Sequence, residues 1–413
     1  MSPSKPPSED DLHRLFDSAV EFFEAGDASA AKGVLEQLIE KVPDHPQILN
    51  YLAVTTHQSG DPARALELFE RAVQVEPNFT EAWNNLGNLA QKMGQYSDAV
   101  RAFSELCKLT PNDARSFVCL GNAYQENQQC SEAVDAYKHG LSMSSGLPGT
   151  WNNLSRALLS EGHWEEALDA ADRELALQPG YSGALALKSV ALMELRRDEE
   201  WSKLVDIDGL LQGFEISVPY GYTDISAFNR KLSKSCQNHM SLVYSPKDNT
   251  TELGSQTGNM ADDGDGPIAD LMGQIESCVD AYREARPISP GHPFLGQRPD
   301  EWEINIWGVV LDAGGHQASH IHRDGWLSGV YYPQLPDVVN ATSTDHTGWI
   351  EFGLQQYYPK STSQPVVRMF QPVEGKLFLF PSYFYHRTIP FDSPTQRISI
   401  AFDLIPKAAV PTG

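Results

Sequence analysis

Three segments in the second half of the chain carry side chains able to build a metal centre. They are His320-Ile-His322-Arg323-Asp324, the single His386 in Phe-Pro-Ser-Tyr-Phe-Tyr-His386-Arg-Thr, and Arg397-Ile-Ser399 eleven residues further on. Two imidazoles and a carboxylate, or three imidazoles, gathered on a β-framework leave coordination positions open and suit non-haem iron(II). The guanidinium of Arg397 adds a planar fork for the carboxylate of a co-substrate.

On an extended strand His320, His322 and Asp324 share one face. They cannot all hold the same ion, because at ~3.4 Å per residue the first and last are about 13 Å apart, against metal–ligand bonds of roughly 2 Å. Either His322 and Asp324 ligate as H-x-D, or His320 and His322 ligate as H-x-H, with His386 third in both. The set His322, Asp324, His386 is the expectation, since it completes a 2-His-1-carboxylate triad; His320 is the alternative first-strand ligand.

Arg397 and Ser399 alternate with Ile398, Ile400 and Phe402, which turns the polar pair to the inside of a sheet and the apolar residues to its covering elements. A buried guanidinium is costly without a partner, so an incoming carboxylate is expected there. Tyr332 shares parity with Ser328 and is a further hydrogen-bonding candidate in the same pocket. Asn305 lies on the strand before the ligands and could line the pocket. Trp326, Trp349 and the Tyr357-Tyr358 pair could form dry walls or a substrate shelf.

The elements that must position these groups read as a sheet. Glu303–Leu311, Leu327–Tyr332, Gly348–Phe352, Val366–Phe370, Lys376–Phe380 and Arg397–Asp403 are strand-like runs separated by turns. Before them Ile268–Arg286 is an amphipathic helix ended by Pro287. Phe214–Val218 is the first strand-like run, and residues 245–266 read as a polar, glycine-rich loop, either surface or lid. That strand count suits a double-stranded β-helix, a jelly-roll with ligands on its inner face.

The first half is a repeat. Pro43, Pro77, Pro111 and Pro179 stand on a 34-residue ladder, as do Gly26, Gly60, Gly94 and Gly162, and Ala31, Ala65, Ala99, Ala133 and Ala167. Thr80-Glu-Ala-Trp83-Asn-Asn-Leu86-Gly87 returns as Pro148-Gly-Thr-Trp151-Asn-Asn-Leu154-Ser155. Period and signature resemble the tetratricopeptide repeat: paired helices, small residues at the crossing, proline after the second helix. No unit buries its apolar face alone, so stacking yields a superhelix whose concave groove commonly takes extended peptides. Asn85 and Asn153 share one repeat position, and Asn88 and Asn122 another. In this family both line the concave surface, where amides can hydrogen-bond a peptide backbone.

The bulk numbers agree with a multidomain globular chain. Thirty-one Lys and Arg against fifty-five Asp and Glu leave a formal charge of −24, which opposes nucleic acid and anionic membranes as partners. The opening residues have no signal-peptide core and no run is long enough to span a bilayer. Five scattered cysteines form no disulfide framework and no C-x-x-C pair, which fits a reducing cytoplasm. Cys107, Cys119 and Cys130 fall in apolar helical patterns and read as buried thiols.

The order H-x-D or H-x-H, late histidine, then R-x-S resembles the 2-oxoglutarate- and iron(II)-dependent dioxygenases, in a prolyl-hydroxylase-like form behind tetratricopeptide repeats. Bacterial proteins of that arrangement carry H-x-H followed by Pro and a small residue before the S-G-V-Y-Y strand, and Arg323 and Asp324 depart from that pattern. The resemblance implies Fe(II) at the histidines. It also implies 2-oxoglutarate as co-substrate, its distal carboxylate held by Arg397 and Ser399, with Tyr332 as a further donor. Oxygen activation with release of succinate and carbon dioxide would hydroxylate a C–H bond, in a protein or peptide recruited by the repeats. The fold class expected is α + β multidomain: a tetratricopeptide α-solenoid over 10–197, a capping helix or linker over 198–213, and a double-stranded β-helix over 214–407. A cupin-type metal protein without 2-oxoglutarate would leave Arg397 unexplained. An adaptor with a dead jelly-roll would leave the whole constellation unexplained.

Overall fold

The computed structural model describes residues 9–246, 250–353 and 358–407. Residues 1–8, residues 247–249 of the expected loop, and Tyr357 lie outside the described residues. The chain divides into two compact units, one ending at Ala157 and one beginning at Leu158. By compactness, therefore, the division falls inside the 10–197 repeat segment.

The first unit is an α-solenoid. Its helices run in pairs, such as Pro46–Gln58 with Pro62–Val75 and Thr80–Lys92 with Tyr96–Leu109. Local chemistry sets their limits. Asp27 and Asp61 cap helix starts by accepting from the backbone N–H of Ala30 and Arg64, and prolines occupy first helical positions at Pro46 and Pro62, as their missing N–H allows. Gly26, Gly60 and Gly94 end the first helices with φ of 81°, 88° and 72°, the left-handed stop that glycine takes without strain. On the rung where the ladder lacks glycine, Gln128 adopts the same conformation at φ 60°. Ala31, Ala65, Ala99 and Ala133 are fully buried, which lets paired helices approach. At Gly87 and Gly121 an added Cβ would lie 2.7 Å from the Phe103 ring and 2.6 Å from the Tyr137 ring. The same aromatic-on-glycine contact thus recurs one repeat apart.

In the second unit the helices Trp164–Leu177 and Ser182–Glu194 precede the sheet. Ser182–Glu194 is buried on nearly every side, with Leu185, Val190 and Leu192 at zero exposure, as a helix apolar all round must be. Ser182 Oγ donates to the carbonyl of Gly325 at 2.7 Å, so this helix braces the loop that carries the first two histidines. Two short helices, Asp198–Leu204 and Ile207–Leu210, follow and are tied down where Tyr383 Oη donates to the Leu204 carbonyl and Tyr282 Oη to that of Leu210.

Among the described residues ten strands follow: β1 (Gln212–Glu215), β2 (Val243–Tyr244), β3 (Thr251–Gln256), β4 (Trp302–Gln317), β5 (Leu327–Gln334), β6 (Ile350–Phe352), β7 (Arg368–Phe370), β8 (Lys376–Pro381), β9 (His386–Thr388) and β10 (Arg397–Pro406). They form a seven-stranded sheet, β1-β8-β5-β10-β4-β3-β2, and a three-stranded sheet, β7-β6-β9, both antiparallel. This is the jelly-roll expected, so the fold class is an α-solenoid followed by a double-stranded β-helix. The helices Ile225–Gln237 and Pro267–Ala285 bury Phe228, Leu232, Leu271, Ile275 and Val279.

One expectation fails here: the 245–266 segment is not a plain loop. It contains β3, which pairs with β4 and buries Thr251. Beyond β3, Thr257 and Met260 are buried too. Backbone pairing outweighs the low strand propensity of a Gly- and Ser-rich sequence. No described helix is long and apolar enough to cross a membrane.

Candidate metal centre

His320, His322 and His386 come together, with one ring nitrogen of each lying within 4.8 Å of the others. Backbone pairing puts them there. His320 and His386 exchange N–H···O bonds of 3.0 Å as an isolated antiparallel bridge, and the His322 N–H donates to the Ser382 carbonyl at 2.9 Å. The ring centroids are 4.3 to 5.1 Å apart. Phe352 and Phe380 wall His386, and the indole of Trp307 stacks on His322 at 5.5 Å.

Each Nδ1 already has a partner. His320 Nδ1 lies 2.8 Å from the Ala318 carbonyl, His386 Nδ1 2.9 Å from the Phe384 carbonyl, and His322 Nδ1 2.7 Å from the Asp403 carboxylate. Carbonyls and a carboxylate accept, so each Nδ1 carries a proton and Nε2 is the nitrogen left to ligate a metal. His322 Nε2 is buried with no hydrogen-bond partner among the described residues. Burial, and then the neighbouring His322, push the His320 imidazolium down to about 3. Burial, then His320 and His322, hold His386 well below the usual histidine range. Three clustered imidazoles whose Nδ1 positions are already bonded fit a divalent transition metal.

Through the His322 Nδ1–H, Asp403 fixes the ring's orientation and tautomer, as carboxylates do behind metal-binding histidines. It also accepts from Ser328 Oγ at 2.6 Å, and Ser328 and Ser382 share a 2.8 Å hydrogen bond. An added Cβ on Gly325 would lie 2.5 Å from Ser382 Oγ. Glycine there is what lets the His322 loop sit against this network.

The histidines open into a narrow cavity that reaches Arg397, Ser399, Tyr332 and Thr388. Alternation on β10 aligns Arg397, Ser399, Ala401 and Asp403 on one face, opposite Leu311, Val309, Trp307 and Asn305 of β4. Arg397 is 1% exposed. Its Nε donates to the Gly348 carbonyl at 3.2 Å and its Nη1 lies 3.4 Å from Ser399 Oγ. Among the described residues no carboxylate pairs with it, and burial draws its pKa below the usual arginine value. The guanidinium carbon lies 5.0 Å from the Tyr332 ring centroid, and the buried Tyr332 hydroxyl sits beside the guanidinium. A buried cation, a serine and a phenol at one end of a cavity fit an organic carboxylate.

Of the expected residues, Arg397, Ser399 and Tyr332 thus gather with His322 and His386. Asp324 does not. Past His322 the chain bends rather than continuing as a strand, Asp324 is exposed, and it is outside the histidine cluster. His320 takes that place, as in the H-x-H alternative. Asn305 lies at the outer end of the inner face. Trp326 is core, stacked on Phe294; Trp349 packs on His346, and Tyr358 is buried. In the repeat unit Asn85 Nδ2 donates to Asn50 Oδ1 at 3.0 Å and Asn153 Nδ2 to Asn122 Oδ1 at 3.1 Å, linking successive first helices. Asn122 also accepts from Tyr137 Oη, and Asn88 is exposed. Sequence reasoning missed Asp403, Ser328, Gln317 and Thr388. Asp403 was marked by its β10 parity with Arg397 and Ser399. The five cysteines are free, and burial raises the Cys107 and Cys236 thiols to about 12.

Residues 305–403 match the family described as "Putative 2OG-Fe(II) oxygenase". Residues 16–85, 56–116 and 120–182 match tetratricopeptide repeat families. The chain therefore carries tetratricopeptide repeats and, behind them, a domain of this oxygenase type. No curated protein matches it. Among solved structures, MamA (41-end) from Desulfovibrio magneticus RS-1 is 18% identical, covering 40% of this chain and 94% of that one with a TM-score of 0.38. YrrB, described as a TPR protein with an unusual peptide-binding site, is 18% identical, covering 42% and 91% with a TM-score of 0.38.

Proposed function

We propose that the protein is a 2-oxoglutarate- and iron(II)-dependent dioxygenase that hydroxylates a protein or peptide, in a reducing cytoplasm. One observation carries this reading: three imidazoles with locked Nδ1 protons share a cavity with a buried arginine that no described carboxylate pairs. His320, His322 and His386 would hold iron(II) through Nε2. Arg397, Ser399 and the Tyr332 hydroxyl would hold the far carboxylate of 2-oxoglutarate.

When bound, iron and 2-oxoglutarate supply the oxidation: one atom of O2 enters succinate, formed with carbon dioxide, and the other enters a substrate C–H bond. The chain's own residues orient and protect that chemistry. Asp403 fixes the His322 tautomer, and Trp307, Val330, Ile350 and Phe380 keep water from the cavity. We assign 214–407 to catalysis, 198–213 to the cap and 10–197 to recruitment. In the repeats, Asn85, Asn88, Asn122 and Asn153 are the proposed peptide contacts.

Anaerobic calorimetry of 2-oxoglutarate into iron-loaded protein tests the reading. Wild type should bind, and Arg397→Ala should not. Metal uptake without 2-oxoglutarate binding in wild type would instead make this a cupin-type metal protein.

A further inference from the structure

A second, wider cleft, of about 300 Å³, meets the metal cavity from outside and shares Trp307, Gln317, His320 and His322 with it. At the other end of the metal cavity Arg397 donates to the Gly348 carbonyl. The outer cleft offers a route to the histidines, and its lining indicates which substrate it suits. Asn305, cross-strand partner of Asp403, and Gln317, last residue of β4, both line it, and neither side chain makes a hydrogen bond to a described residue. A primary amide offers donors and an acceptor, the complement of a peptide group. The charged residues at the rim, Arg323 and Asp324, are adjacent and opposite in sign. Among the described residues that line the cleft, Arg323 stands without a second Lys or Arg to select a phosphorylated or polyanionic substrate.

We infer that the outer cleft seats an extended peptide, with Asn305 and Gln317 pairing with its main chain beside the metal. This deepens the dioxygenase reading and rests on it. Main-chain pairing supplies affinity with little dependence on side chains, so Asn305 and Gln317 act as specificity residues for peptide against small metabolites.

The test uses the full-length, iron-loaded protein with 2-oxoglutarate and O2. Its probe is a library of capped peptides in which each residue type is fixed in turn at the centre, and oxygen gain is read by mass spectrometry. The best peptide is then resynthesised with single main-chain N-methyl groups. Wild type should oxidise peptides, and one N-methylation should raise KM about fivefold to tenfold, the worth of one hydrogen bond. Asn305→Ala and Gln317→Ala should raise KM by a similar factor, more than they lower kcat, and should blunt the effect of one N-methylation. Asn305→Asp, which keeps the shape and loses the donor, guards against misfolding of the alanine variant. Unchanged KM in all three variants would overturn the inference, as would N-methylation effects that simply add to theirs. Wild type that forms succinate but oxidises no peptide overturns the inference alone. Wild type that neither binds 2-oxoglutarate nor forms succinate overturns the dioxygenase reading as well.

Discussion

Removing the Asp403 carboxylate should weaken metal binding more than removing Asp324, although only Asp324 stands in an H-x-D motif. Asp403 is 2.7 Å from His322 Nδ1 and 2.6 Å from Ser328 Oγ. Asp403→Ala leaves the His322 Nδ1–H without its acceptor, at about 1–3 kcal/mol, while Ser328 can turn its proton to Ser382. Part of that cost falls on folding and part on holding the His322 ring for the metal. Loss of such a partner typically lowers metal affinity roughly 10- to 100-fold, or about 1.4–2.8 kcal/mol. Asp403→Asn is milder, because its oxygen can accept from His322 while its amide donates to Ser328, which can donate on to Ser382. Only the charge assistance goes, a difference of about 1 kcal/mol or about fivefold. Asp324 is exposed and outside the histidine cluster, so Asp324→Ala should change affinity by no more than about twofold. Anaerobic competition for iron(II) or cobalt(II) against a chromophoric chelator gives all four affinities. The reasoning is refuted if Asp324→Ala weakens binding as much as Asp403→Ala, or if Asp403→Ala binds like wild type.

Arg397→Met keeps the packing and removes the fork, and should lower 2-oxoglutarate affinity about a hundredfold or more by calorimetry; Arg397→Lys keeps the charge without the fork and should still lose about tenfold. Equal affinity in both variants and wild type would place the co-substrate elsewhere. Ser182→Ala removes the buried bond to the Gly325 carbonyl and should destabilise the protein by about 1 kcal/mol, seen as a lower denaturant midpoint, and an unchanged midpoint counts against the brace. Gln128→Gly relieves a left-handed residue at φ 60°. The strain relieved, about 1–2 kcal/mol, exceeds the added unfolded-state entropy of about 0.4–1 kcal/mol. The repeat transition should therefore shift to higher denaturant, and a shift to lower denaturant contradicts the account.

The repeat was legible because a 34-residue ladder ties each helix end to local chemistry, proline at starts and glycine at stops. Even its exception, Gln128, takes the conformation its rung requires. The inward aim of Arg397 and Ser399 was also legible, since strand parity alone decides it. The third ligand was not. His320, His322 and Asp324 have equal parity on paper, and what separates them is non-local: the His320–His386 bridge and the bend after His322. Asp403 escaped notice because its partner His322 is 81 residues away. β3 was hidden by composition, as its pairing with β4 comes from backbone groups that glycine and serine supply as well as valine does.

The most direct test of the central claim is succinate formed when protein loaded anaerobically with iron(II) and 2-oxoglutarate is exposed to O2. Wild type should form succinate, and His386→Ala and Arg397→Ala should fall to background. Succinate from wild type no higher than from those two variants, with every substrate class supplied, would contradict it.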